Sequence, residues 1–143
     1  MQIFNPFDHQ YWIQIGVAIF CGAVIGVERE LRGKPTGMRT CILIVMGTAI
    51  FVKLGAVMGN ERGDATRVLG QVVTGIGFLG AGVIMSRGDV IIGVTTAAVV
   101  WVLAAIGALI GAGEFAGAIT MAIVTVLCLT VFDFLERWIQ KHR

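Results

Sequence analysis

The sequence predicts an all-α membrane protein: a polytopic bundle of about five transmembrane helices, forming one domain over residues 1–143 with no soluble domain. Three observations lead there. Of 143 residues, 57% are apolar and only 14% charged, whereas an average soluble domain is nearer 45–50% apolar and about 25% charged. The apolar residues fall in long blocks separated by short charged clusters, and blocks of roughly 18 or more are the length a bilayer demands. Backbone amides in lipid must be satisfied within their own segment, and nothing in these blocks reads as a barrel strand, so the blocks are helices. A disordered chain, a disulfide scaffold and a secreted knottin are excluded. The three cysteines, Cys21, Cys41 and Cys128, are odd in number and lack CxxC spacing, so neither a disulfide framework nor a zinc site is indicated.

Span 1 is predicted over about 12–27, with Phe7, Tyr11 and Trp12 at its entrance, where interfacial aromatic rings belong. The N-terminus lacks the basic flank and cleavage site of a signal peptide, so this block is expected to stay as an anchor. Span 2 runs about 40–59, roughly 30 Å of helix at 1.5 Å per residue. Spans 3, 4 and 5 follow at about 68–85, 90–111 and 115–134. Only Gly113 and Glu114 separate the last two, which makes a tight hairpin.

Basic residues set the orientation. Arg29, Arg32, Lys34 and Arg39 in loop 1, Arg87 in loop 3, and Arg137, Lys141 and Arg143 in the tail fall on one side. Only Arg62 and Arg67, in loop 2, fall on the other. The positive-inside rule then places the N-terminus outside and the C-terminus in the cytoplasm.

Small residues pattern the spans. GxxxG spacing occurs at Gly22/Gly26, Gly55/Gly59, Gly107/Gly111 and Gly113/Gly117, and span 3 is rich in glycine at Gly75, Gly77, Gly80 and Gly82. Without Cβ atoms, helix backbones approach closely and gain dispersion contact that lipid tails do not match. Packing within the bundle is the expected use, and a homodimer face the sharper alternative. The string from Gly75 to Gly80 formally matches GxGxxG, but it lies inside a membrane-length apolar block rather than in a βαβ unit, so it is no dinucleotide site. Gly33-Lys34 lacks the upstream glycine of a P-loop. No cofactor and no nucleic-acid partner are expected.

Polar groups at membrane depth are costly and need an account. Lys53 is expected to snorkel towards the outer interface or to pair with an acid there. Asp64 stands where it can cap span 3, next to Arg67, and Gln71 and Thr74 follow as expected interhelical hydrogen-bond partners. At the cytoplasmic end the topology gathers Glu28, Arg29, Glu30, Arg39, Thr40, Thr95 and Thr96. Such a cluster suits an ion, an anionic headgroup or a cytosolic partner; in the plainer reading Glu28 and Arg39 simply hold the turn between spans 1 and 2. No acid lies at a span centre, since Glu114 and Asp133 sit at or near span ends. Mg2+ is therefore possible but lacks the cage of oxygen ligands that a hard divalent ion prefers.

Taken in order, these residues resemble one family. Gly26-Val-Glu28-Arg29-Glu30 with Lys34-Pro35-Thr36-Gly37-Met38-Arg39-Thr40 resembles the first cytoplasmic loop of MgtC/SapB-family proteins. Asp64-Ala-Thr-Arg67, with Gln71 through Ile84, resembles the family's third span. Gly93-Val-Thr95-Thr96-Ala97-Ala98, Trp101 and Ala104 through Gly107 resemble its fourth. The resemblance covers about residues 12–132. It implies a non-enzymatic, multi-pass protein of the bacterial inner membrane, linked to magnesium or proton-energy homeostasis, low-magnesium adaptation and virulence, and to restraint of the ATP synthase. It also implies regulation through membrane contacts more than transport.

Two departures stand out. Many members carry a cytoplasmic C-terminal domain resembling an ACT fold; this chain stops at Arg143, so it is expected to be a short or truncated member. Lys53 also stands where a small or neutral residue is expected. The expected partners are the bilayer, a second copy of the chain and a membrane complex such as the ATP synthase. The alternatives are an oligomeric cation channel or transporter and, more weakly, a headgroup-binding module at the cytoplasmic face.

Overall fold

The computed structural model describes residues 5–62 and 65–141. Five helices follow one another: α1 (His9–Leu31), α2 (Met38–Arg62), α3 (Ala65–Gly82), α4 (Val94–Gly111) and α5 (Phe115–Lys141). A two-stranded antiparallel hairpin, β1 (Met85–Arg87) and β2 (Val90–Ile92), joins α3 to α4. The protein is thus the all-α bundle that the sequence predicts.

Four of the five helices, α1, α2, α4 and α5, are long and apolar enough to cross a membrane. The third predicted span does form a helix, but at 18 residues, several of them glycine, it is not among those four over the described residues.

The helix bounds differ from the predicted spans in an instructive way. α1, α2 and α5 run several residues past the apolar blocks, because helical hydrogen bonding continues through polar residues once water is available to their side chains. Spans 3 and 4, expected to reach 85 and to begin at 90, are cut short instead by the hairpin. Gly88-Asp89 forms its two-residue turn, with Gly88 at φ 62°, and the β-branched Val90, Ile91 and Ile92 favour the extended backbone.

α2 is the hub. α1 packs against it antiparallel and α4 parallel, α3 lies on a further side, and α5 closes over α1 and α4. Glycines fix the two closest approaches. A Cβ at Gly22 would stand 2.6 Å from Ile42 Cα, and one at Gly26 would strike the backbone of Met38. On the other flank, a Cβ at Gly107 would lie 2.5 Å from the Val45 carbonyl oxygen and one at Gly111 2.7 Å from that of Ala49. The buried core lies along the same seams: Cys21 and Ile25 of α1, Cys41 and Val45 of α2, Leu103, Ile106 and Ile110 of α4, and Ala118 and Ala122 of α5.

Helix ends are closed locally. Asp8 Oδ1 accepts the Gln10 N–H at 3.0 Å and caps α1. At the far end Gly33, at φ 62°, lets the Lys34 N–H reach the Arg29 carbonyl (3.0 Å) and the Gly33 N–H that of Glu30 (3.0 Å). This is a Schellman closure, and Gly113 (φ 90°) makes another after α4. The first of these closures sets the position of the charged end of α1.

Candidate functional site

The end of the bundle that carries the α1–α2 turn and the hairpin holds a pocket of about 620 Å³. Its charged lining comes from Glu28, Arg29, Arg32 and Lys34 of the α1 end and Asp133 of α5. Thr95 and Thr96 of α4 add hydroxyls, and Ile91, Ile92, Leu129 and Phe132 give it an apolar wall. Charged groups on one side and hydrocarbon on the other suit a boundary between water and lipid.

Each polar side chain has a definite place. Arg29 is 2% exposed, and its Nη2 donates to Thr96 Oγ1 at 2.6 Å, tying α1 to α4. Its Nε is buried without a hydrogen-bond acceptor. Glu28 is 9% exposed. Arg32, one helical turn on, brings its Nε to 2.6 Å from Glu28 Oε1, yet neither carboxylate oxygen of Glu28 receives an aligned hydrogen bond. The contact is therefore a charge pair without hydrogen-bond geometry. The same guanidinium also pairs with Asp133 through Nη1, so Arg32 stands between two carboxylates from different helices. The Arg29 Nε matters because a buried polar group left without a partner costs about 1–3 kcal/mol, and Glu28, though paired by charge with Arg32, keeps oxygens with no aligned donor.

Of the residues predicted at this end, the structure brings together Glu28, Arg29, Thr95 and Thr96. It does not add Arg39 or Thr40, which are exposed on α2. The expected Glu28–Arg39 brace is replaced by Glu28–Arg32, because spacing of four within one helix needs no tertiary fold to align it. Glu30 turns away from the pocket and accepts the Met38 N–H at 3.3 Å at the start of α2. Arg32, Lys34 and Asp133 were missed as site residues. The spacing of Glu28 and Arg32 signalled the first, but the sequence held no sign that α5 would bring Asp133 back to α1.

The other predicted positions lie elsewhere. Thr40 and Gln71 border an apolar groove of about 600 Å³ between α2 and α3. Arg67 is exposed in the first turn of α3, and Asp64 lies outside the described residues. Thr74 does not bond to another helix: its Oγ1 donates to the Gly70 carbonyl of its own helix at 3.0 Å. Lys53 makes a bond to another helix that its depth along span 2 does not reveal. Its Nζ donates to Oε1 of Gln14 at 2.6 Å, joining α2 to α1 well away from the charged pocket. Among the described residues, no grouping of three or more His, Cys, Asp or Glu side chains is placed to hold a metal ion.

The arrangement of Glu28, Arg29 and Thr96 falls within a longer pattern shared with known proteins, since the MgtC family model matches residues 15–138. The chain belongs to the MgtC family. It is 48% identical over 122 residues to the putative magnesium transporter YhiD of Escherichia coli, covering 80% of this chain and 56% of that protein. It is 40% identical over 121 residues to the protein MgtC of Salmonella typhimurium, covering 85% and 51%, and 37% identical over 148 residues to an uncharacterized protein of Haemophilus influenzae, covering 97% and 62%. The chain thus spans between about half and three-fifths of the length of these relatives. No solved structure matches it. Family membership and four membrane-length helices make this a membrane protein tied by its relatives' names to magnesium.

Proposed function

We propose that the protein is a non-enzymatic regulator in the bacterial inner membrane, acting on magnesium or proton-energy homeostasis through its charged pocket and through contacts with membrane partners. The observation that carries this reading is the pocket's placement at one end of a bundle whose interior is closed. Beyond Glu28 and Arg29 the α1–α2 and α2–α4 seams are backbone against backbone at Gly22, Gly26, Gly107 and Gly111, with Ile25, Leu103 and Ile106 buried beside them and the Lys53–Gln14 bond further along. A polar pocket above closely packed, glycine-sealed seams suits sensing or docking better than passage. The family resemblance adds the ATP synthase as a candidate partner, a second copy of the chain as another, and virulence or low-magnesium adaptation as the setting.

The second reading is an oligomeric cation channel or transporter, with its path between copies of the chain; the name of the E. coli relative favours it. Against a resident Mg2+ site stands the donor set. Glu28 and Asp133 already share Arg32, and a hard divalent ion calls for several further oxygen ligands. The deciding experiment is Mg2+ flux into liposomes that contain only the purified protein. Flux no greater than in protein-free liposomes, together with recovery of a membrane complex on purification from native membranes, supports the regulator. Magnesium-dependent flux that disappears in Glu28→Gln establishes the channel reading instead.

A further inference from the structure

The buried polar atoms of the charged pocket that lack an aligned hydrogen bond specify a ligand more narrowly than its overall charge does. Glu28 presents a carboxylate that is nine-tenths buried, and neither oxygen receives an aligned donor. Arg29, beside it in sequence and more deeply buried, holds an Nε–H with no acceptor. A simple anion would satisfy Arg29 and repel Glu28, and a simple cation would do the reverse. A ligand that answers both carries an acceptor anion and an N–H donor cation a few ångströms apart.

The remaining walls add two requirements. Lys34 and Arg32 bring further positive charge to the rim, which calls for an anion of phosphate type. Leu129 and Phe132 of α5 give an apolar flank that favours hydrocarbon attached to it. A volume of about 620 Å³ is ample for a headgroup and the start of its chains.

We propose that this pocket binds the phosphoethanolamine headgroup of a membrane lipid. The ammonium donates to Glu28, the phosphate accepts from Arg29 Nε and the rim cations, and the acyl chains lie along α5. These atoms of Glu28 and Arg29 are closed to water, so entry requires the partly buried Arg32 side chain to turn aside. Arg32 then serves as the resident stand-in for the ligand's ammonium, held between Glu28 and Asp133 until the headgroup replaces it at Glu28. This rests on the charged pocket being the functional site, and it fails separately from the regulator reading because its test measures lipid rather than flux.

Cys128 supplies a native reporter. It is exposed and borders the pocket, whereas Cys21 and Cys41 are fully buried. Delipidated protein in detergent is titrated with phosphatidylethanolamine, phosphatidylglycerol or soluble phosphoethanolamine, and the rate of Cys128 alkylation by N-ethylmaleimide is followed. Lipids retained through purification are weighed in parallel by native mass spectrometry.

Phosphatidylethanolamine is expected to be retained and to slow alkylation at lower concentration than phosphatidylglycerol. Glu28→Gln is expected to remove that preference, weakening phosphatidylethanolamine by about tenfold, the worth of one charge-assisted hydrogen bond. Lys34→Gln, in the exposed turn and safe for folding, is expected to weaken both lipids alike. Equal binding of the two lipids by the native protein, or an unchanged preference in Glu28→Gln, overturns the proposal. Protection by soluble phosphoethanolamine as strong as by the lipid overturns its lipid source, leaving a free phosphoethanolamine compound as the ligand.

Discussion

Two sets of glycines in this molecule lie in apolar helices and have different surroundings. Those of α1 and α4, at Gly22, Gly26, Gly107 and Gly111, are pressed against the α2 backbone so closely that no side-chain atom fits. On α3, Gly75, Gly77 and Gly82 have nothing within reach of an added Cβ, and Gly80 meets only Ala97, at an ordinary 3.8 Å. The first set is what allows three helices to pack at backbone distance. The second makes no approach at backbone distance, so close intramolecular packing accounts for the GxxxG pairs of α1 and α4 but not for Gly75, Gly77 and Gly82 of α3. Small-residue spacing shows that a helix is able to approach a neighbour closely; which helix has a neighbour there depends on the fold.

Substitutions test the contrast directly. The largest effect is expected from Gly26→Ala and Gly107→Ala, where a methyl group meets backbone rather than a movable side chain. Each should cost at or above the upper end of about 1–3 kcal/mol, read as a lowered unfolding temperature in detergent. If both unfold like the native protein, the seams are looser than described and the contrast between the two sets collapses.

Thr96→Val comes next. It removes the acceptor of Arg29 Nη2 while keeping shape, and should cost about 1–3 kcal/mol. In a double-mutant cycle, Arg29→Met should recover most of that loss, because the stranded charge leaves with the arginine. Lys53→Met should cost about 1 kcal/mol by stranding the buried Gln14 amide on the α1–α2 seam. A smaller effect, up to about 1 kcal/mol and reduced by salt, is expected of Asp133→Asn, whose pair with Arg32 is partly open to solvent.

The smallest change belongs to α3. Gly75→Ala and Gly77→Ala should leave the fold intact and raise stability by about 0.5–1 kcal/mol, through lower backbone entropy in the unfolded chain. Destabilisation there, accompanied by loss of an oligomer on size-exclusion chromatography, would show that a second copy covers this face and that the open glycines are packed after all.

The charged pocket shows how far a site can be read without coordinates. Glu28 and Arg29 were legible because charge at a span end stands out against apolar neighbours, and Thr96 because the topology returned the start of span 4 to the same end. Arg39 was drawn in by the same argument and turned out exposed: sharing an end of the bundle does not mean sharing a face of it. The depth of Lys53 along α2 can be counted from the sequence, while Gln14, which accepts its hydrogen bond, lies on another helix, where counting does not reach. Asp133 was overlooked for the matching reason, since its role depends on which side of α1 the last helix covers.

Composition and the length of the apolar blocks determined, without any coordinates, that this chain is a helical bundle with membrane-length helices. Hydrocarbon leaves a backbone few ways to satisfy its own hydrogen bonds, and 20 glycines among 143 residues foretold close packing somewhere. The tertiary structure alone decided that α2 would be the hub, that the linker before α4 would fold as a hairpin, and that Arg32 would stand between carboxylates of the first and last helices. Those outcomes turn on the rotation of each helix about its axis. That rotation is fixed only when several imperfect faces compete for the same neighbours, so no single segment carries the information.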